Sequence, residues 1–286
     1  MSEIIIVEGV VKKYGDRAAV NGLDLRVNEG EIFGFLGPNG AGKTTTVRVI
    51  STLTDYSEGS VSVGGHDILK DPKEAKKLMG VIQQHISLDT DLTVRENMMH
   101  HAMMHKIPKS ERMRRINELA DYVGLDEYMD KMINTLSGGW KKRAATVCSL
   151  LHKPKVLFLD EPTVGLDVQA RRLLWDIIRK LNDNGTTIFL TSHYIEEVEA
   201  LCDRVGIIND GKLIALGTPS ELCNKLGSTA VEYYGADNKT EYKYFTSREE
   251  ANEFASSLGD VKTVIIRNTN LEDCFVELTG KSVSGP

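Results

Sequence analysis

Apolar residues follow two patterns that divide most of the chain into strands and helices. Leu23, Leu25 and Val27 alternate with polar residues, which predicts a strand with one buried face. The runs at 32–36 and 156–159 are almost entirely apolar, as expected for parallel strands that are buried on both faces. Because such strands alternate with helical segments, the pattern predicts an α/β fold built on a parallel sheet.

Further elements follow from periodicity and from turn and capping residues. Gly64-Gly65 indicates a hairpin after residues 60–63, and Asp210-Gly211 indicates a second hairpin near the end of the sheet. Gly80 is expected to end a helix that starts at Asp71-Pro72. The predicted strands are 3–11, 60–63, 81–82, 186–191, 205–209 and 212–216, and further helices begin after the caps Asp167 and Thr218.

The strand pattern stops between residues 85 and about 136. Met113, Ile116, Ala120 and Val123 recur at helical spacing, and Gly124 ends the run. We therefore predict a helical subdomain at about 85–150, inserted into the α/β core.

The character of the sequence changes again at residue 227, where tyrosines alternate with charged residues. A helix at 247–258, a strand at 261–267 and a helix at 270–279 are predicted, and the tail at 281–286 is expected to be disordered. The chain is thus divided into a main domain at 1–226 and a small C-terminal α/β unit at 227–286.

Composition limits the classes of function. Hydrophobic residues make up 41% and charged residues 27% of the 286 residues, as in soluble globular proteins. The net charge of −6 argues against general nucleic-acid binding but does not exclude a local basic patch, and no nucleic-acid partner is expected. No apolar run reaches the ~20 residues of a membrane span, and residues 1–13 lack the features of a secretory signal. The four scattered cysteines are typical of reduced thiols in a cytosolic protein.

A glycine-rich stretch between the strand at 32–36 and a helix carries the clearest chemistry. Its backbone N–H groups and the helix N-terminus are suited to phosphate oxygens. The spacing is that of a phosphate-binding loop, in which Lys43 reaches the outer phosphates and Thr44 holds magnesium. The sequence therefore predicts that the chain binds a nucleoside triphosphate. The loop residues are Gly37, Pro38, Asn39, Gly40, Ala41, Gly42, Lys43, Thr44 and Thr45.

Candidate polar residues follow the predicted strands at one edge of the sheet. Asp160 and Glu161 come after the run at 156–159, and His193 follows the strand at 186–191. The carboxyl ends of parallel strands are where open α/β sheets bind ligands. We therefore expect these three side chains to lie beside the phosphate loop.

Two further features have more than one interpretation. Tyr14 precedes the phosphate-loop strand, where it could stack on adenine or could be an ordinary tyrosine at a strand end. His101 and His105 are four residues apart, as zinc ligands can be. No carboxylate or cysteine nearby completes a ligand set, so we favour packing or partner contact for this methionine-rich stretch.

Taken together, these stretches resemble the nucleotide-binding subunit of an ABC transporter over about residues 3–226. The loop at 37–45 matches the Walker A motif, and Gln84 matches the Q-loop. Residues 156–160 match Walker B, with Glu161 as the catalytic glutamate and His193 as the switch histidine. The resemblance implies a P-loop ATPase core with an antiparallel β subdomain and a helical subdomain, and it places Tyr14 against adenine.

The resemblance also assigns the signature and D-loop motifs. Ser137, Gly138 and Gly139 match the signature, and Asp167 ends the D-loop at 165–167. In this family the signature contacts the ATP that the opposite cassette holds. The chain is therefore expected to pair with a copy of itself or with a related chain.

The same resemblance implies a mechanism and further partners. Thr44, Gln84 and Asp160 would hold Mg²⁺ against ATP, Glu161 would activate the attacking water, and His193 would contact the γ-phosphate. A separate transmembrane permease would hold the chain at the inner face of the cell membrane. Direct lipid binding is not expected.

Two stretches refine the resemblance. Trp140 departs from the glutamine that is commonest after the signature glycines, which puts contacts from this position to the nucleotide in doubt. Residues 270–280 look like the last helix of ATPase subunits in type-two ABC exporters. The implied function is therefore ATP-driven export.

Other classes of P-loop protein remain as alternatives. A soluble ABC ATPase of translation or DNA repair is the second candidate, although translation cassettes usually carry two phosphate loops and repair cassettes a long coiled coil. A signalling GTPase lacks support because no Asn-Lys-x-Asp motif is present.

Overall fold

The structure is a computed structural model that describes residues 2–84, 87–235, 239–258 and 264–280. The described strands are β1 (Glu3–Tyr14), β2 (Arg17–Asn28), β3 (Ile32–Leu36), β4 (Glu58–Val63), β5 (His66–Asp67), β6 (Met79–Ile82), β7 (Val156–Asp160), β8 (Thr187–Ser192), β9 (Arg204–Asn209), β10 (Lys212–Gly217), β11 (Thr229–Tyr234), β12 (Thr240–Phe245) and β13 (Val264–Asn268).

The helices connect these strands and build a lobe between β6 and β7. They are α1 (Lys43–Ile50), α2 (Pro72–Lys77), α3 (Val94–Met104), α4 (Lys109–Tyr122), α5 (Gly138–Leu150), α6 (Val168–Asp183), α7 (Ile195–Leu201), α8 (Pro219–Leu226), α9 (Arg248–Ser257) and α10 (Leu271–Thr279). Two 3₁₀ turns, Asp126–Tyr128 and Ile133–Thr135, lie between α4 and α5.

A central sheet of six strands confirms the predicted α/β class. Its order is β10-β9-β3-β8-β7-β6, and every pair is parallel except β9 with β10. β3, β7 and β8 are buried along their whole length, which explains their continuous apolar sequence. The carboxyl ends of these three strands meet at the edge that receives the phosphate loop.

The two faces of the central sheet pack against different layers. Phe33, Phe35, Phe158 and Phe189 face the antiparallel sheet β2-β1-β4-β5 and helix α1. The opposite face packs on the helices of the lobe and on α6 and α7, and α8 and α10 extend the same apolar cluster. This two-sided core holds the strand ends in fixed positions.

Several predicted boundaries shift in the structure. β1 and β2 extend to a tight turn at Gly15, whose φ is +59°, and are longer than the predicted strands. The prediction that Gly80 ends a helix is wrong. Gly80 lies inside β6, where a Cβ would approach the Ser149 carbonyl oxygen to 2.6 Å, so glycine is required by close packing.

The lobe between β6 and β7 is helical in its described part, as predicted, apart from one isolated bridge between Thr93 and Met132. Residues 85–86 of the predicted subdomain lie outside the described residues. Thr93 forms a capping box with Glu96 and so starts α3.

The C-terminal segment forms a separate antiparallel sheet, β12-β11-β13, with α9 packed on one face. The predicted helices at 247–258 and 270–279 are confirmed as α9 and α10, which begin after the caps Ser247 and Asn270. Residues 261–263 of the predicted strand and the tail at 281–286 lie outside the described residues.

The last helix packs on the main core. Leu271, Cys274 and Phe275 of α10 are buried among the side chains of α7 and α8. The Leu271 N–H also donates to Glu199 Oε1 at 2.8 Å. Residues on either side of the predicted boundary at 226/227 therefore share one apolar cluster.

Candidate active site

The phosphate loop connects the end of β3 to the first turn of α1. Gly42 precedes the helix with φ of +111°, and a Cβ there would collide with the Ala19 carbonyl oxygen. Gly40 also has a positive φ, of +80°. The two glycines permit a tight backbone path that residues with side chains seldom adopt.

Lys43 is buried beneath this loop. Its Nζ donates to the carbonyl oxygens of Gly37 at 2.8 Å and Pro38 at 3.1 Å, and it lies 3.2 Å from Glu161 Oε1. Burial lowers the pKa of Lys43, whereas the charge of Glu161 opposes that shift. The ammonium is thus held between the loop and the end of β7.

The carboxylate of Asp160 faces the first turn of α1. The Thr44 hydroxyl donates to Asp160 Oδ1 at 3.1 Å, and the Thr191 hydroxyl donates to the same oxygen at 2.7 Å. Asp160 is only 2% exposed, so its lone pairs depend on these protein partners. A threonine hydroxyl and a carboxylate, both hard oxygen ligands, are thus in contact at one point of the site.

Glu161 adopts an unusual backbone conformation. Its φ is +47°, and its N–H donates to the Thr191 carbonyl oxygen at 3.2 Å and to Thr191 Oγ1 at 3.0 Å. The side chain accepts from Gln84 Nε2 at 3.4 Å and lies 3.3 Å from His193 Nδ1. The predicted catalytic residues Glu161, His193, Lys43 and Gln84 are therefore brought together.

Lys43, Gln84, Glu161 and His193 line a cleft of about 760 Å³ beside the phosphate loop. Tyr14 is half exposed at its rim, and Lys12 Nζ lies over its ring, 5.0 Å from the ring centre. Arg17 Nη2 donates to the Gly40 carbonyl oxygen at 3.3 Å. The lining residues are Tyr14, Arg17, Ala19, Asn39, Gly40, Gly42, Lys43, Thr44, Thr45, Gln84, Glu161, Val164 and His193.

The signature and D-loop residues lie apart from this cleft. Ser137 is the N-cap of α5, and Gly138 and Gly139 form its first turn. Asp167 caps α6 by accepting from the Ala170 N–H at 2.8 Å. A Cβ on Gly139 would lie 3.3 Å from Ala170, so the two helix starts adjoin one another. Within one chain, neither start lines the cleft.

Trp140 packs within the lobe. Its ring stacks on Tyr128 with centroids 3.9 Å apart, and the Arg143 guanidinium lies over the indole, 4.3 Å from the ring centre. The departure from the usual glutamine is thus accommodated by an aromatic and cation–π stack.

Three residues of the site escaped sequence interpretation: Thr191, Arg17 and Lys142. Lys142 is buried on α5, and its Nζ donates to the Gln84 carbonyl oxygen at 3.3 Å. Burial lowers its pKa, and the charge of Asp160 opposes the shift. Lys142 therefore connects the helix that follows the signature to the backbone of the Q-loop.

His105, which follows α3, packs against His152, which follows α5. The rings of His105 and His152 stack in parallel with centroids 4.0 Å apart, and His152 Nε2 lies 2.9 Å from the Met79 carbonyl oxygen. No group of three or more His, Cys, Asp or Glu side chains forms a metal-ligand set in the described part of the chain. His105 thus makes a packing contact.

A six-stranded, mostly parallel sheet with a phosphate loop, acids at the strand ends and an inserted helical lobe defines a P-loop ATPase. A family model described as ABC transporter matches residues 20–164, and the chain belongs to this family. A second model, described as AAA domain, putative AbiEii toxin, Type IV TA system, matches residues 136–199.

Curated relatives support the same assignment. The linearmycin resistance ATP-binding protein LnrL of Bacillus subtilis (strain 168) is 44% identical, over 78% of this chain and 72% of that protein. The daunorubicin resistance ATP-binding protein DrrA3 of Streptomyces coeruleorubidus is 41% identical, over 80% of this chain and 72% of that protein. The Nod factor export ATP-binding protein I of Cupriavidus metallidurans (strain ATCC 43123 / DSM 2839 / NBRC 102507 / CH34) is 36% identical, over 99% of each chain.

Solved structures show the same fold. The structure of cbiO1 from Clostridium perfringens, part of the ABC transporter complex cbiONQ, is 29% identical with a TM-score of 0.71, covering 78% of this chain and 91% of that chain. A dimeric post-hydrolysis state of the cassette MJ0796, bound to ADP and Pi, is 26% identical with a TM-score of 0.68, covering 75% of this chain and 98% of that chain.

The chain is the ATP-hydrolysing subunit of an exporter-type ABC transporter. The comparisons give no support to a role in translation or DNA repair. Cassettes of this family form dimers and work with permease components. Among the residues that the structure describes, none of the helices has the length and apolar character that a membrane span requires.

Proposed function

We propose that Lys43, Thr44, Gln84, Asp160, Glu161 and His193 together form the hydrolytic half-site of this ATPase. The observation that carries the proposal is the contact of Glu161 with Lys43, Gln84 and His193 beside the phosphate loop. Lys43 would exchange its loop carbonyl contacts for the outer phosphates of ATP. Glu161 would orient or deprotonate the attacking water, a role that typically contributes about 10²–10⁴ in rate.

Mg²⁺ fits the same site. Thr44 and Asp160 present adjoining oxygen atoms, and Gln84 Nε2 lies 3.4 Å from Glu161 Oε2 in the lining of the same cleft. Magnesium is usually bound by one or two protein oxygens together with phosphate oxygens, so this small ligand set is sufficient. When bound, the ion would offset the charge that develops on the transferring phosphoryl group.

The second half of each catalytic site would come from another chain. Ser137, Gly138 and Gly139 start a helix, and the N–H groups of a helix start bind phosphate. Because this start does not line the chain's own cleft, its ligand would be the ATP of a second cassette, with Asp167 beside it. The pair would be a homodimer or a dimer with a related chain.

The remaining assignments concern the membrane partner and the C-terminal segment. A separate transmembrane permease would hold the chain at the inner face of the membrane and would select the exported cargo. The exposed Met103 and Met104 at the end of α3 offer an adaptable contact surface for it. Residues 227–286 would form an accessory unit that regulates the ATPase or stabilises the pair of cassettes and is not needed for ATP binding.

Hydrolysis assays with matched carboxamide variants test the half-site. Glu161→Gln removes the base and keeps the side-chain size, so turnover in MgATP should fall by at least about 10²-fold. Glu196→Gln changes an exposed glutamate near the same sheet edge and should retain normal turnover. Chelation of Mg²⁺ should abolish hydrolysis by the parent chain. Normal turnover of Glu161→Gln, or hydrolysis without a divalent cation, would refute these roles.

A further inference from the structure

Thr191 is buried between the two acidic residues of the site. Its side chain is fully shielded from solvent, and it lies on β8, next to the strand that ends in Asp160. Its hydroxyl donates to Asp160 Oδ1 at 2.7 Å and accepts from the Glu161 N–H at 3.0 Å. A hydroxyl has one donor and two acceptor sites, so one group can serve both neighbours at the same time.

The contact with Asp160 fixes a carboxylate oxygen that also faces Thr44. Asp160 Oδ1 accepts from the Thr44 hydroxyl at 3.1 Å, and the Thr191 bond approaches the same oxygen from β8. Protein groups that hydrogen-bond to a metal ligand set its orientation and its affinity for the metal. Thr191 is therefore placed to orient the carboxylate that would face Mg²⁺.

The contact with Glu161 stabilises a backbone that non-glycine residues seldom adopt. The φ of Glu161 is +47°, and both the carbonyl oxygen and the hydroxyl of Thr191 accept its N–H. In this conformation the side chain contacts Lys43 and approaches His193. A backbone conformation that is seldom adopted is retained where surrounding contacts hold it in place.

We infer that Thr191 is a positioning residue of the ATPase, whose hydroxyl sets the geometry of both Asp160 and Glu161. This inference rests on the roles proposed above for those two acids. Thr191 itself has no contact with the cleft and acts only through its neighbours.

Two substitutions isolate the hydroxyl. Thr191→Ser and Thr191→Ala both remove the methyl group, and only the first keeps the hydroxyl. Thr191→Val gives a third variant that keeps the β-branched shape preferred in strands. Thr187 on the same strand supplies the control. It is equally buried, and its hydroxyl accepts from the Gly30 N–H at 2.9 Å, far from the two acids of the site.

Metal affinity is measured without turnover. Each variant is combined with Glu161→Gln, and ATP is kept below the concentration of chains. Mn²⁺ is then titrated while electron paramagnetic resonance reports free Mn²⁺, and the Mn²⁺ that ATP binds without protein is measured and subtracted. We expect Thr191→Ala and Thr191→Val to weaken Mn²⁺ binding by about 10–100-fold. Thr191→Ser and Thr187→Val should keep the parent affinity. With Glu161 restored, Thr191→Ala should also have a lower kcat at saturating Mg²⁺ than Thr191→Ser.

The outcomes separate this inference from the function on which it rests. If Thr191→Ala binds Mn²⁺ as tightly as Thr191→Ser, the positioning role is refuted, and this comparison remains valid even if Thr191→Val does not fold. If Thr187→Val weakens Mn²⁺ binding equally, the effect is general destabilisation and the inference also fails. If the parent chain binds no Mn²⁺ with ATP, the proposed half-site itself is wrong.

Discussion

The ammonium of Lys43 lies 3.2 Å from Glu161 Oε1, and both side chains are buried at the edge of the central sheet. One group is expected to neutralise phosphate charge and the other to activate water. With these roles, their contact would let a single pair of side chains connect nucleotide binding to hydrolysis.

Replacement of this lysine tests that connection. Lys43→Ala should lower ATP turnover by at least about 10²-fold, because a preorganised cation at the developing charge is lost. Arg48→Ala on the same helix removes an exposed cation and should leave turnover normal. Circular dichroism checks that both variants are folded. Near-normal turnover in a folded Lys43→Ala variant would contradict the role of Lys43.

The stack around Trp140 predicts a stabilising role. Trp140→Gln should lower the free energy of unfolding by about 1–2 kcal/mol, because the contacts with Tyr128 and Arg143 are lost. Tyr128→Phe keeps the ring and should retain the stability. ATP turnover of Trp140→Gln should remain within about twofold of the parent under conditions where the variant is folded. A large loss of turnover at unchanged stability would instead indicate contact with the nucleotide.

Because α10 is buried in the main core, loss of its apolar contacts should lower the stability of the fold and leave the nucleotide site unchanged. Phe275 is fully buried, so Phe275→Ala should cost about 3–5 kcal/mol in urea unfolding. Leu278 on the same helix is 46% exposed, and Leu278→Ala should cost less than about 0.5 kcal/mol. ATP affinity of the folded Phe275→Ala chain should match that of the parent. Reduced affinity would show that α10 influences the phosphate site.

The histidine stack predicts a dependence of stability on pH. Burial lowers the pKa of His152, and the charge of His105 lowers it further. The unfolded chain therefore binds protons more readily, so stability that is complete above the ordinary histidine pKa of about 6.5 is lost as pH falls from that value to the lower pKa of the folded state.

Unfolding of a histidine variant measures this effect. Between pH 7 and pH 5, His152→Gln should lose less stability than the parent chain. An identical pH profile for His152→Gln and the parent would contradict this assignment.

The parts of the site that depend on local sequence could be predicted. The spacing of the loop glycines reflects a backbone path, so Lys43 and Thr44 were identified directly. Continuous apolar runs identified β3 and β7 because both faces are buried. Asp160 and Glu161 follow from their place after such a run.

Contacts between distant parts of the chain were not predictable. Thr191 resembles any β-branched residue at a strand end, and Lys142 resembles any cation on a helix. Their roles depend on the parallel pairing of β7 with β8 and on the packing of α5 against β6. Gly80 was assigned to a helix end because close packing against Ser149 has no signature in the sequence. Likewise, the apolar spacing of α10 indicates a buried face but not the helices that cover it.

A catalytic site shared between two chains makes one prediction about molar mass. Glu161→Gln should bind ATP without hydrolysing it, so two chains should remain associated through the signature of each and the ATP of the other. Glu161→Gln combined with Ser137→Arg should stay a monomer, because a bulky side chain at the start of α5 would block the partner's phosphates.

Size-exclusion chromatography with light scattering gives the molar mass of Glu161→Gln in saturating ATP and in ADP, for the chain alone and for its complex with the permease. If chains of this kind pair with a related subunit, the permease-bound sample retains the pair. We predict twice the chain mass in ATP, the single-chain mass in ADP, and two cassettes per complex. A single cassette under saturating ATP in both samples would contradict a site shared between two chains.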